Sequence, residues 1–118
     1  MRILVAVRQA TVRSAVKTFL WAQPDLDVVG EASDSRGLLS QIEITRPDVL
    51  LLDWGLPGRP AVELLAMLRT LDTRCQIIVL GNDSEQRQSV LAAGADYFVS
   101  QGEPPRRLLT AVHVMRAE

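Results

Sequence analysis

The sequence predicts an α/β fold in which a five-stranded parallel sheet is covered by helices on both faces. Five short apolar runs alternate with five longer stretches in which apolar residues recur at helical spacing. The connections between them are short, which favours right-handed strand–helix–strand units. The third run, Val49-Leu50-Leu51-Leu52, is apolar at every position, as is typical of a central strand buried on both sides.

Each element follows from its own pattern. The predicted strands are Ile3–Val7, Leu26–Ala32, Val49–Leu52, Gln76–Leu80 and Tyr97–Val99. The predicted helices are residues 12–20 before Pro24, Ser35–Thr45, Pro60–Leu71, a segment from an N-cap at Ser84 to Ala93, and a last helix that opens at Pro104 and carries Leu108, Leu109, Val112 and Met115. Pro47 ends the second helix because the residue before a proline is pushed out of the helical region, and Gly94 suits a left-handed C-cap.

Composition excludes several classes of function. The chain has 118 residues, which predicts a single domain over residues 1–118 with no effector domain. Thirteen basic and 14 acidic residues give a net charge of −1, which argues against direct nucleic-acid or membrane-surface binding. The single cysteine, Cys75, cannot form an internal disulfide, and no apolar run has the length of a membrane span. We expect a soluble cytoplasmic domain.

The working site of such a sheet lies at the carboxyl ends of its strands. The residues at these ends are Val7-Arg8, Asp53-Trp54, Gly81-Asn82 and Ser100-Gln101. Neither a P-loop nor a dinucleotide fingerprint nor a nucleophile elbow occurs, so nucleotide binding and esterase chemistry have no support in the sequence. These four strand ends therefore decide the function.

Four segments resemble the receiver domain of bacterial two-component response regulators, and the resemblance extends over the whole chain. They are residues 24–34, residues 46–53, Leu56-Pro57-Gly58 and Ala93-Gly94-Ala95-Asp96. They are most similar to receivers that precede a LuxR-type DNA-binding domain. The resemblance implies a flavodoxin-like sheet with strand order 2-1-3-4-5, and a signalling role without enzymatic activity.

In that family, an aspartate accepts a phosphoryl group with the help of Mg²⁺. The resemblance implies an acidic pair after the first strand, the acceptor after the third, a hydroxyl residue after the fourth and a lysine after the fifth. Asp53 matches the acceptor. The other four positions hold Val7, Arg8, Gly81 and Gln101, so the acidic pair for the metal, the hydroxyl and the lysine ammonium are all missing. We expect the Mg²⁺ site to be lost, no other metal or cofactor, and no catalytic residue.

The residues around this site have competing interpretations. We hypothesise that the Arg8 guanidinium pairs directly with Asp53 and replaces the charge of the metal, although it could also point to solvent. Trp54 either covers the site or packs under the following loop, and Phe98 is a further neighbour. Trp21 on the first helix and His113 on the last helix are candidate interface residues. Alternatively, Trp21 is partly buried over the helix end and His113 is an ordinary surface residue.

We therefore predict a degenerate receiver that regulates through protein–protein contacts without phosphorylation. Its partner would be another protein, an output domain or a second copy of the chain. One alternative is an active phosphorelay receiver phosphorylated on Asp53. Another is a small anionic ligand bound in the crevice beside Trp54 and Arg8.

Overall fold

The computed structural model describes residues 1–71 and 74–116, and they form the predicted three-layer α/β arrangement. The strands are β1 Arg2–Ala6, β2 Asp27–Ala32, β3 Val49–Asp53, β4 Gln76–Gly81 and β5 Tyr97–Ser100. The helices are α1 Ala10–Trp21, α2 Ser35–Thr45, α3 Ala61–Thr70, α4 Arg87–Ala92 and α5 Arg106–Arg116. The sheet order is β2-β1-β3-β4-β5 with all neighbours parallel, which confirms the predicted flavodoxin-like fold.

Alternation along the strands divides the core into two layers. Leu50 and Leu52 point toward α2, α3 and α4, whereas Val49 and Leu51 point toward α1 and α5. Every residue of β3 is buried, as its continuous apolar sequence predicts. Because β3 is covered on both faces, its last residue, Asp53, is held rigidly at the carboxyl edge of the sheet.

Two helix starts differ from the sequence prediction. The cap before α4 is Asp83 rather than Ser84, since the Asp83 carboxylate accepts a hydrogen bond from the Glu85 N–H and opens a 3₁₀ turn, Ser84–Gln86. The Gln86 side chain reaches back to the N–H groups of Asn82 and Asp83, which completes a capping box. The last helix begins at Arg106, two residues after Pro104, and the carbonyl oxygens of Pro104 and Pro105 accept hydrogen bonds from the Arg107 and Leu108 N–H groups of its first turn.

The local prediction at Gly94 is confirmed. Gly94 has a φ of +115°, the left-handed conformation expected after α4. Cys75 is buried. The side chain of Met115, predicted to join the apolar stripe of α5, lies outside the described part of the chain. Within residues 1–71 and 74–116, the helices are all too short or too polar to cross a bilayer.

Candidate functional site

Asp53 ends β3, the central strand, and so lies at the centre of the carboxyl edge of the sheet. It is only 4% exposed. Its Oδ2 accepts a hydrogen bond from the Arg8 backbone N–H at 3.0 Å, and its Oδ1 accepts one from the Gly55 N–H at 2.9 Å. Both carboxylate oxygens therefore already have backbone donors, which satisfies the requirement that a buried polar group be paired.

The predicted ion pair between Arg8 and Asp53 is wrong. Five ion pairs join described residues, and none of them includes Arg8. The guanidinium lies instead over Gly55, with Nη1 3.7 Å from the point where a Cβ on that glycine would stand, and Asp53 Oδ1 is 3.6 Å from the same point. The backbone of Arg8 binds the buried carboxylate, while its long side chain stays at the exposed mouth of the site, where a cation keeps its hydration.

Val7 contributes no ligand to the site. Its side chain is 1% exposed and packs into the layer beneath α1 and α5. Its carbonyl oxygen accepts a hydrogen bond from Arg13 Nη1 at 2.8 Å, and Arg13 also forms an ion pair with Glu31 at 2.9 Å. Arg13 was not among the site residues predicted from the sequence. Arg13 lies in the first turn of α1, directly after β1, and this position could have identified it from the sequence as a neighbour of the strand end.

Gly81 occupies a position with no room for a side chain. A Cβ built there would lie 2.5 and 2.7 Å from two ring carbons of Phe98 and 2.7 Å from Gln86 Oε1. Phe98 is 1% exposed, and Gln86 is held by the capping box before α4. The hydroxyl position of the family is therefore filled by an aromatic ring from the neighbouring strand.

The outer side of Phe98 is covered by an arginine that the sequence analysis did not single out. The Arg87 guanidinium lies 5.2 Å from the centre of the ring, and its Nη1 donates to the Phe98 carbonyl at 3.3 Å. Its Nη2 forms an ion pair with Glu103 at 3.2 Å. Arg87 thus joins the start of α4 to the loop before α5, a link between residues too distant in sequence to be read from local pattern.

Gln101 stands at the end of β5, where the family has a lysine. It is exposed, and its N–H donates to the Gly81 carbonyl at 2.8 Å. The uncharged amide can offer hydrogen bonds but no positive charge to an anion. The backbone bond joins the β4 and β5 ends, so this edge of the sheet is held by main-chain contacts.

The tryptophans and the histidine fall in three different environments. Trp54 is half-buried and packs against the core layer beneath α2, α3 and α4. Trp21 is 60% exposed at the end of α1, and the Lys17 ammonium lies 5.3 Å from its ring centre. His113 is exposed on α5. Of these residues, only Trp54 adjoins the candidate site.

The donor set at Asp53 differs from a magnesium site. Mg²⁺ binds hard oxygen ligands, usually one or two carboxylates with water. Here one carboxylate is occupied by backbone donors, and the flanking side chains are a valine and an arginine. In the described parts of the chain, residues 1–71 and 74–116, His, Cys, Asp and Glu side chains nowhere form a group of three that could hold a metal ion.

The fold and the position of Asp53 define the class of the protein: a parallel doubly wound sheet with an aspartate at the end of its third strand. The family model of the response regulator receiver domain matches residues 3–113. The chain belongs to the response regulator receiver family, in the group related to LuxR- and NarL-type regulators, and such receivers serve two-component signalling.

Sequence relatives agree with this assignment. The chain is 34% identical over 113 residues to the nitrate/nitrite response regulator protein NarL of Escherichia coli, covering 94% of this chain and 52% of that protein. It is 35% identical over 103 residues to the DNA-binding transcriptional activator DevR/DosR of Mycobacterium tuberculosis, covering 86% and 48%. The chain spans about half the length of the curated relatives it matches.

Solved structures show the same fold. The isolated receiver domain of RcsB from Salmonella enterica serovar Typhimurium, determined with a phosphomimetic, superposes with a TM-score of 0.92 at 22% identity, covering 99% of this chain and 88% of that one. The receiver domain of the putative response regulator NarL from Mycobacterium tuberculosis gives a TM-score of 0.88 at 24% identity, covering 99% and 97%.

Proposed function

We propose that this chain is a degenerate receiver that regulates signal transduction or transcription through protein–protein contacts, without phosphorylation of Asp53. The observation that carries the proposal is the space at Gly81. A hydroxyl side chain cannot stand there while Phe98 occupies its buried position, because a Cβ alone would lie 2.5 Å from the ring. A phosphoryl group on Asp53 would lack this partner.

The surroundings of Asp53 support the same proposal through charge. Both carboxylate oxygens accept backbone hydrogen bonds, and the charged group nearest the mouth is the Arg8 guanidinium. The Arg8 cation would repel a divalent ion beside it: two like unit charges about 4 Å apart cost roughly 4 kcal/mol at an effective dielectric of about 20, and a doubly charged ion costs about twice that. We therefore expect the Mg²⁺ site to be lost, and we derive no step through that metal.

The partner we propose is an output domain, another protein or a second copy of this chain. The curated relatives are about twice as long as this chain, and the one named DevR/DosR is described as a DNA-binding transcriptional activator. Trp21 and His113 are exposed on α1 and α5 and stay candidate contact residues. The proposed role is binding in the cytoplasm rather than catalysis, with no contact of this domain to nucleic acid or membrane.

The test uses Trp54, which directly follows Asp53. Trp21 is the other tryptophan of the chain, so a Trp21→Phe variant makes Trp54 the sole reporter. We expect its fluorescence to stay unchanged on addition of millimolar Mg²⁺ and then of beryllofluoride, a phosphoryl mimic. Incubation with acetyl phosphate and Mg²⁺ should give no covalent adduct by intact mass. The matched control is the same variant with Asp53→Asn, which reports any response that does not depend on the carboxylate.

A saturable Trp54 response to Mg²⁺, or an added phosphoryl mass that the Asp53→Asn substitution abolishes, would support the active phosphorelay receiver instead. A response to small anions without metal would support a ligand in the crevice beside Arg8. Either result would overturn the proposal of a receiver that works without chemistry or ligands at Asp53.

A further inference from the structure

A groove lies between α1 and the start of α5, beside the ends of β4 and β5. Its volume is about 390 Å³. Leu80 and Val99 line it from the sheet, and both belong to the core layer beneath α1 and α5. The chain passes Pro104 and Pro105 before α5 begins at Arg106, and the apolar residues Val12, Val16 and Phe19 of α1 are only partly buried.

The lining is mostly apolar and carries no positive charge. Of the lining residues, Val12, Val16, Phe19 and Leu108 form apolar walls beside the strands. Glu103 is the single charged residue of the lining, and its carboxylate is already paired with Arg87 at 3.2 Å. An anion would therefore meet no counter-charge in the groove and would be repelled by Glu103.

Neutral polar groups line the groove beside these apolar walls. The Thr11 hydroxyl and the Gln101 side-chain amide form no hydrogen bond with any described residue of the chain. The Ser100 hydroxyl accepts one from the Gly102 N–H at 3.4 Å and can still donate its proton. Apolar walls with a few polar groups are the usual composition of a small-molecule site.

The size of the groove is that of a small-molecule site. Small-molecule sites usually enclose roughly 300–1,000 Å³, and this groove falls within that range.

We propose that this groove binds a small, uncharged and largely apolar molecule that carries a carbonyl, amide or hydroxyl group. The apolar part lies between Val12, Val16 and Leu108, and the polar group bonds to Thr11 and Gln101. Asp53 does not line the groove, and Gln101 is the one residue that the groove shares with the degenerate positions around Asp53. Because Ser100 and Gln101 end β5, a bound molecule would also steady the loop before α5.

The test is a titration of the full chain with Nile red, an uncharged dye with a ring carbonyl, followed by its fluorescence. Ala15→Phe fills the groove from an exposed position of α1, and Ala66→Phe is the matched control on the exposed face of α3. We expect one saturable site per chain, a dissociation constant raised at least about tenfold by Ala15→Phe, and one within about twofold of wild type for Ala66→Phe. Thermal unfolding of both variants establishes that they are folded.

The anionic dye anilinonaphthalene sulfonate provides the charge comparison and should bind at least about tenfold more weakly than Nile red. Three results would overturn the proposal. They are the absence of saturable Nile red binding, equal binding by the Ala15→Phe variant, and tighter binding of the anionic dye. A dimer of the wild-type chain that dissociates in Ala15→Phe, with no dye bound, would assign the groove to a second copy instead.

Discussion

The contact between Gly81 and Phe98 can be tested by adding a single side chain. In Gly81→Ser, the new Cβ would start 2.5 Å from a ring carbon, whereas ordinary contact begins at 3.4 Å. The ring is 1% exposed, and the second close atom, Gln86 Oε1, is held by hydrogen bonds in the capping box. Overpacking of this kind costs about 1–3 kcal/mol, which for a domain of this size lowers the melting temperature by about 4–12 °C.

A double-mutant cycle separates this clash from other effects of serine. Phe98→Leu removes the two ring carbons that lie nearest to Gly81, so in that background Gly81→Ser should cost less by at least about 0.5 kcal/mol. The measurement is urea unfolding followed by far-ultraviolet circular dichroism. Gly102→Ser is the matched control, since the nearest atom to its new Cβ is 3.9 Å away. An unchanged stability for Gly81→Ser, or an equal cost in both backgrounds, would refute the reasoning.

Two further predictions concern Asp53 and Cys75. Asp53→Asn places an NH₂ group against a backbone N–H and should lower the free energy of unfolding by about 1–3 kcal/mol. The control, Asp27→Asn at an exposed position, should change it little. Equal effects of the two substitutions in urea unfolding would contradict the two backbone hydrogen bonds to Asp53. Burial raises the pKa of the Cys75 thiol to about 12 from an ordinary value of 9.0. Its contribution to stability is therefore complete below pH 9.0 and is lost as the pH rises toward 12, because the unfolded chain releases the proton first. The fall in urea midpoint between pH 8 and pH 10 should be smaller in Cys75→Ala, and an equal fall in both proteins would exclude Cys75 as its source.

The fold was predictable because its determinants are local and repeated. The four apolar residues Val49–Leu52 identify a strand covered on both faces, and helical spacing in the intervening segments identifies its cover. The loss of the family's site residues was also predictable, because the residues at the ends of the strands, Val7, Arg8, Gly81 and Gln101, can be read from the sequence once the strands are located. Helix boundaries were less certain, because Asp83 and Ser84 are both good caps and hydrogen-bond geometry decides between them.

The sequence by itself determined the architecture and which chemical groups are missing around Asp53. Only the tertiary structure decided how the remaining groups meet: Arg8 binds Asp53 through its backbone from 45 positions away, and the Phe98 ring fills the space above Gly81. The physical reason is that the spacing of apolar residues in the sequence shows only which face of each helix or strand is buried. The contacts at the strand ends depend instead on side chains brought together from different strands, whose distances and orientations exist only once the sheet has formed.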